Sequence, residues 1–290
     1  MATLKVIRKR IGSVKNTQKI TKAMKMVSAA KLRRAQNALM QSRPYAAHLS
    51  RVLRRLALRI EPGSTPYLAS EDTSGTALVF VITSDRGLCG GFNSNLLRRV
   101  HYSLRESIPY EKIDFMVLGR KGRDFFKAKK IPLRQEASAW AEGMLLARAR
   151  DMAAKVSQAF EAGEFGAFYL VYNAFQSAIS QEIRIRRILP VEAATGEVDA
   201  QAEAIYPVIY EPSAPELFKA LIPRYVTGEI FLALSESLTA ELAARMSAME
   251  NATNNAKEMI GMLTLQYNRA RQASITRELM DIVNGAEALK

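Results

Sequence analysis

LAARMSAMENATNNAKEMIGMLTLQYNRARQASIT, running from Leu242 to Thr276, is the stretch that decides the fold. Within it Leu242, Met246, Met249, Thr253, Ala256, Ile260, Leu263, Tyr267, Ala270 and Ser274 recur in alternating steps of four and three. A period of 3.5 residues keeps one stripe of a helix turned toward a partner over many turns, so this is a coiled-coil seam. Small or flexible side chains (Ala, Thr, Ser, Met) dominate it rather than Leu and Ile, and close but modestly stable packing is expected. No proline follows Pro223 to interrupt the helix.

A second seam lies at the other end. Between Leu4 and Ile60 there is one glycine, Gly12, and one proline, Pro44. Apolar residues step by three and four in three groups: Ile7, Ile11 and Val14; Ile20, Met24 and Val27; Leu49, Val52, Leu53, Leu56 and Ile60. That periodicity predicts a long helix, with a kink expected at Pro44, which lacks a backbone donor. At 1.5 Å per residue the arms would measure roughly 85 Å and, from Ala214 to Ala288, roughly 110 Å. A compact globule of this size is about 50 Å across. Both arms are therefore expected to project and to pair as an antiparallel shaft. The C-terminal arm should outreach its partner by about 18 residues, or roughly 27 Å, leaving a lone tip near Arg271 to Leu289.

Between the arms the pattern changes to α/β. TALVFVIT (Thr76–Thr83), IDFMVLG (Ile113–Gly119) and FGAFYLVYNAF (Phe165–Phe175) read as buried strands, and QEIRIRRILPV (Gln181–Val191) alternates like a more exposed one. Helical NSNLLRRVHYSLRES, GRDFFKAKK and Met144–Ala162 separate them. Such alternation predicts a mainly parallel sheet covered on both faces. EPGSTPYLASEDTSG (Glu61–Gly75) is turn-rich. The expected division is a helical arm over 1–60, a linker over 61–75, a globular α/β domain over 76–206, and a helical arm with its tip over 207–290.

Charge is as unevenly spread as the seams. Sixteen lysines and arginines precede Glu61, the first acidic residue. The rest of the chain is nearly balanced, so the N-terminal arm carries the whole excess of +14. A positive field that localised attracts an acidic partner. Nucleic-acid backbones are one such partner, but Trp140 and most aromatics lie outside the basic arm, so interleaved stacking residues are missing there. No apolar run reaches the ~18 residues that span a bilayer. A single cysteine, Cys89, excludes an intramolecular disulfide. The N-terminus has no secretory-signal pattern. Its basic, acid-free composition is like a transit peptide, yet the pattern runs about twice the usual length and merges into the helix.

Catalytic signals are weak. SDRGLCGGFN (Ser84–Asn93) sits between strand and helix, where glycine-rich loops hold phosphate. It matches neither G-x-G-x-x-G nor G-x-x-x-x-G-K-S/T, and reads better as a tight turn presenting Arg86. His48 and His101 lie in elements unrelated to Cys89, so no nucleophile–base pair is expected, and two histidines with one cysteine make no convincing zinc site. GRKGR (Gly119–Arg123) reads as a solvated basic turn rather than a phosphate patch. The Met-rich AMKMVSAAKL reads as helix packing.

Three segments carry a resemblance. KVIRKRIGSVKNTQKITKAMKMVSAAKLRRAQ (Lys5–Gln36), SDRGLCGGFN, and RQASITRELMDIVNGAEAL (Arg271–Leu289) together resemble the gamma-subunit family of the rotary proton-driven ATP synthase. Ile275, Thr276, Glu278, Asp281, Gly285, Ala286 and Ala288 match its C-terminal signature, and the likeness covers essentially the whole chain. It implies a central stalk with an antiparallel coiled coil inside a hexameric ring of alpha and beta subunits. It also implies a Rossmann-like α/β foot on the membrane c-ring beside the epsilon subunit. Turning of the shaft would drive the beta subunits through ATP synthesis, and the chain itself would bind no cofactor, metal or nucleic acid and catalyse nothing.

By motif position, Lys31, Arg33, Arg34 and Arg86 would face acidic levers of the beta subunits, and Arg271 and Gln272 a beta loop that grips the shaft. Met24 and Lys25 would lie near the coupling region below the ring, and Tyr206, Tyr210 and Glu211 near the foot. Ile275, Leu279, Ile282 and Val283 form an apolar stripe on the tip, expected to turn in a bearing made by other subunits. One cysteine and no insertion argue against the chloroplast branch. The resemblance implies a bacterial chain, peripheral on the cytoplasmic face of the inner membrane, touching the membrane only through its complex.

Overall fold

The computed structural model describes residues 4–61, 63–68, 75–137, 142–193 and 210–287. Tertiary contacts divide the chain into two compact units, one of residues 30–244 and one of residues 1–29 with 245–290. The two longest helices, α1 (Leu4–Ala57) and α5 (Ala214–Glu287), contribute to both. α1 continues through Pro44, which lies exposed within it.

The larger unit is built on a five-stranded sheet in the order β3-β2-β1-β4-β5. Its strands are β1 (Thr76–Ile82), β2 (Lys112–Leu118), β3 (Gln135–Ala137), β4 (Ala167–Phe175) and β5 (Gln181–Leu189). β1 pairs in parallel with β2 and β4, β2 with β3, and only β4–β5 is antiparallel. Helices α2 (Phe92–Ser107), α3 (Arg120–Ala128) and α4 (Leu145–Glu161) make the connections. The mainly parallel α/β layer is as expected. β3 is an addition: three residues, two of them polar, carry no strand signal of their own, and their pairing comes from β2.

Period-two alternation sorts the strand residues into two cores. Leu78, Phe80, Ile82, Phe168, Leu170 and Tyr172 face one side with α4, the end of α1 and the start of α5. Ala77, Val79, Val81, Tyr169 and Val171 face the other with Leu96, Leu97, Val100 and Leu104 of α2 and Phe126 of α3. Both faces are covered, so β1 and β4 are buried nearly throughout.

In the smaller unit α1 and α5 pair antiparallel. Lys25 Nζ lies 2.6 Å from Glu250 Oε1, and the hydroxyls of Thr21 and Thr253 are 2.8 Å apart. Met249, Thr253, Ala256, Ile260, Leu263, Tyr267, Ala270 and Ser274 are all buried or half-buried, as the heptad requires. On α1 the seam departs from the apolar reading. Ile20 and Val27 are 60% and 56% exposed, whereas Gln18, Thr21 and Ser28 turn inward. Four-and-three stepping from Ile7 through Ile11 and Val14 lands on those polar positions. Seam register prevails over hydrophobicity there because small hydroxyl side chains can satisfy one another or the helix backbone.

Candidate interaction surfaces on the helices and the β1–α2 loop

The loop after β1 is tied down from inside. Ser84 N donates to Asn93 Oδ1 at 3.0 Å, Asn93 Nδ2 donates to Ser84 Oγ at 2.7 Å and to Cys89 Sγ at 3.3 Å, and Ser84 Oγ donates to the Arg86 carbonyl at 2.7 Å. Asp85 Oδ1 accepts from Arg120 N at 2.9 Å, fixing the loop to the start of α3. Leu88 and Gly90 take positive φ, and a Cβ on Gly91 would meet Asn95 Nδ2 at 2.6 Å. Cys89 is buried inside this turn, while Arg86 and Leu88 stand on its exposed rim. The glycines thus serve a compact turn that displays a cation, not an open phosphate cradle.

GRKGR likewise proves to be a packing device. Gly119 sits at φ +98° with its Cβ position 2.3 Å from the Thr83 carbonyl oxygen, and Gly122 would clash with Val117 Cγ1 at 2.6 Å. Thr83 Oγ1 donates to the Leu118 carbonyl at 2.8 Å and accepts from Gly122 N at 2.9 Å. Arg120 and Lys121 are exposed beside it.

Thirteen of the sixteen basic residues before Glu61 are exposed, Lys31, Arg33 and Arg34 among them. Those three stand in one turn of α1 around the buried Leu32, so they fan outward from the seam. Met24 and Lys25 are half-buried, Lys25 through its bond to Glu250. Tyr210 is half-buried and Glu211 exposed, and Tyr206 lies outside the described residues, as does Trp140.

On α5, Arg271 and Gln272 are exposed. Extending the Thr21–Thr253 register residue for residue brings the start of α1 level with about residue 270. Beyond that level Ile275, Leu279, Ile282 and Val283 are exposed, Ile282 by 71%.

Two ion pairs inside the larger unit gave no signal at the level of motif. Glu236 of α5 accepts from Arg43 of α1 at 2.8 and 3.1 Å, and Arg43 also donates to the Phe175 carbonyl at 2.9 Å. Glu229 of α5 meets Arg186 of β5 at 2.7 Å. Burial holds the Glu229 carboxyl above the ordinary carboxylate range, opposed in part by Arg186 and Arg54. Two glutamates seven apart in an otherwise apolar helical stretch were the available clue.

His48 and His101 are exposed on α1 and α2. Among the described residues no group of three or more His, Cys, Asp or Glu side chains stands close enough to hold a metal ion. No described helix is long and apolar enough to cross a membrane.

Comparison with known proteins gives a uniform result. A family model described as ATP synthase matches residues 3–289. The ATP synthase gamma chain of Anaeromyxobacter sp. (strain Fw109-5) is 49% identical over the full length of both chains. That of Geotalea daltonii is 47% identical, again over both full lengths. A chain in the central stalk and c-ring structure of the Tetrahymena thermophila mitochondrial ATP synthase is 27% identical, with a TM-score of 0.61 over 80% of this chain and 99% of that one. A chain from the Euglena gracilis mitochondrial ATP synthase (OSCP, F1 and c-ring, rotational state 3) is 20% identical and shares the fold, with a TM-score of 0.67 over 99% of this chain and 94% of that one.

Proposed function

Because the chain belongs to the family of ATP synthase gamma chains and is the non-catalytic rotor shaft of such a complex, we propose which of its surfaces meet which partners. The helical pair turns inside a hexameric ring of alpha and beta subunits. Lys31, Arg33, Arg34 and Arg86 face acidic levers of the beta subunits, Arg271 and Gln272 meet a gripping beta loop, and Met24 and Lys25 lie at the coupling region below. The stripe of Ile275, Leu279, Ile282 and Val283 runs in an apolar bearing, while the α/β foot, through Tyr206, Tyr210 and Glu211, contacts the c-ring and epsilon subunit. The complex sits on the cytoplasmic face of a bacterial inner membrane, with this chain peripheral to it.

The observation that carries this reading is the exposed, acid-free face of α1. A charge run with its own counterions in sequence would be a solvated surface; this one has no acidic residue before Glu61, and although Lys25 and Arg43 pair with Glu250 and Glu236 of α5, thirteen of its sixteen cations are exposed. Electrostatic contact with a moving acidic lever is long-ranged and weakly directional, which suits a surface that meets each beta subunit in turn.

Reversing Lys31, Arg33, Arg34 and Arg86 to glutamate in the assembled complex tests it. Exposed charges add little to folding stability, so the complex should assemble while ATP synthesis falls. Undiminished synthesis by the fourfold variant would remove the electrostatic lever.

A further inference from the structure

Residues 232–243 of α5 are buried around the whole circumference of the helix, enclosed by α1 and the sheet. Much of this stretch is Ala, Ser, Thr and Leu, side chains that pack without strong direction. Small side chains interdigitate less deeply than large ones, so such a sleeve opposes a small rotation of the helix about its axis less firmly than directional contacts do. A rotor must oppose that rotation, since torque passes between the sheet and the helices.

Two ion pairs on this helix supply directional contacts to the sheet and to α1. Glu229 and Glu236 are seven residues apart, hence on one stripe of α5. Glu229 is tied to Arg186 on the antiparallel edge strand. Glu236 is tied to Arg43, whose guanidinium also reaches the carbonyl at the end of β4. Arg43 thus joins α1, α5 and the sheet through one planar group. Both carboxylates are almost fully buried, at 3% and 2% exposure.

Stability alone does not account for this arrangement. Both Arg43 bonds fall on Glu236 Oε1, leaving Oε2 buried without a hydrogen-bond partner. Burying a charge and stranding one of its oxygens costs free energy that a well-packed apolar pair would not. What a buried ion pair supplies that an apolar pair does not is a fixed geometry.

We propose that Arg43–Glu236 and Arg186–Glu229 are positioning residues for torque transfer: they lock the angular register of α5 against the sheet, so that the helices do not lag the foot under load.

The test is the paired replacement Arg43→Met with Glu236→Met in the complete complex, in membranes. The double replacement removes the stranded Glu236 oxygen but also the donor to the Phe175 carbonyl, which the half-exposed position of Arg43 leaves within reach of water, so the melting temperature should change little. ATP synthesis should be retained at low phosphorylation potential and lost at high potential. Rotation probes on the foot and on the ring-facing end should show a larger twist for a given torque. Wild-type twist and wild-type synthesis under load would overturn the proposal. Failure of the variant to fold or assemble would overturn it equally, because the pair would then be a folding determinant.

Discussion

Gly119 shows how much of a loop can hang on one missing side chain. With φ at +98° and the Thr83 carbonyl 2.3 Å from where a Cβ would stand, any other residue needs both a strained backbone and a displaced strand end. Gly119→Ala should therefore destabilise the α/β unit by at least roughly 1–3 kcal/mol, read as a lower midpoint in urea, with a weaker tie between Thr83 and α3. Glu229 gives a pH-dependent test. Its carboxyl binds its proton more tightly folded than unfolded, because burial outweighs the nearby arginines. Folding then takes up a proton between the ordinary value of 4.5 and the raised one, and stability falls as pH rises through that window. The Glu229→Gln variant lacks this dependence. Melting temperatures from pH 4 upward should shift in its favour relative to wild type as pH rises, and a constant difference would contradict the raised value. Neither residue could be singled out from sequence. Gly119 looked like part of a basic turn because its φ is set by its contact with β1, and Glu229 is remote in sequence from Arg186.

At the scale of elements, legibility followed the strength of the period. The α5 seam and the four longer strands were readable because many residues repeat one spacing. The α1 seam is less legible, since Thr21 and Ser28 hold core positions that an apolar pattern assigns to Ile20 and Val27. β3 was invisible because three residues set no period. The end of α5 was legible in another way: an apolar stripe continues where the register leaves no α1 to cover it. If that stripe is a bearing, it acts through Ile275 to Val283, each apolar side chain contributing roughly 1.5–3 kcal/mol when covered. Deleting Asn284 to Lys290 should leave rotation and coupling largely intact. Deleting back through Arg271 should weaken assembly and torque together. Single-molecule rotation of the two truncations distinguishes them, and complete loss of rotation from the shorter deletion would make the last residues drivers rather than a cap.

For the whole molecule, composition and motif answered different questions. The excess of sixteen N-terminal cations fitted both a nucleic-acid partner and an acidic protein partner, and charge could not choose between them. The terminal motifs chose, and the full-length identity to ATP synthase gamma chains agrees with them. The ties between helices and sheet stayed hidden, because they join residues more than forty positions apart that share no motif. In the proposed reading the shaft turns relative to a surrounding ring of alpha and beta subunits, and the fold offers a clean way to observe this. Ile179 is 92% exposed in the β4–β5 turn, whereas the native Cys89 is buried. A bead on an Ile179→Cys variant, in a complex immobilised through its alpha–beta ring, reports the motion of this chain alone. During ATP hydrolysis the bead should turn continuously in one direction, and should turn with less torque when Lys31, Arg33, Arg34 and Arg86 are reversed. A bead that stays fixed relative to the ring while ATP is hydrolysed at the normal rate would contradict the rotor shaft.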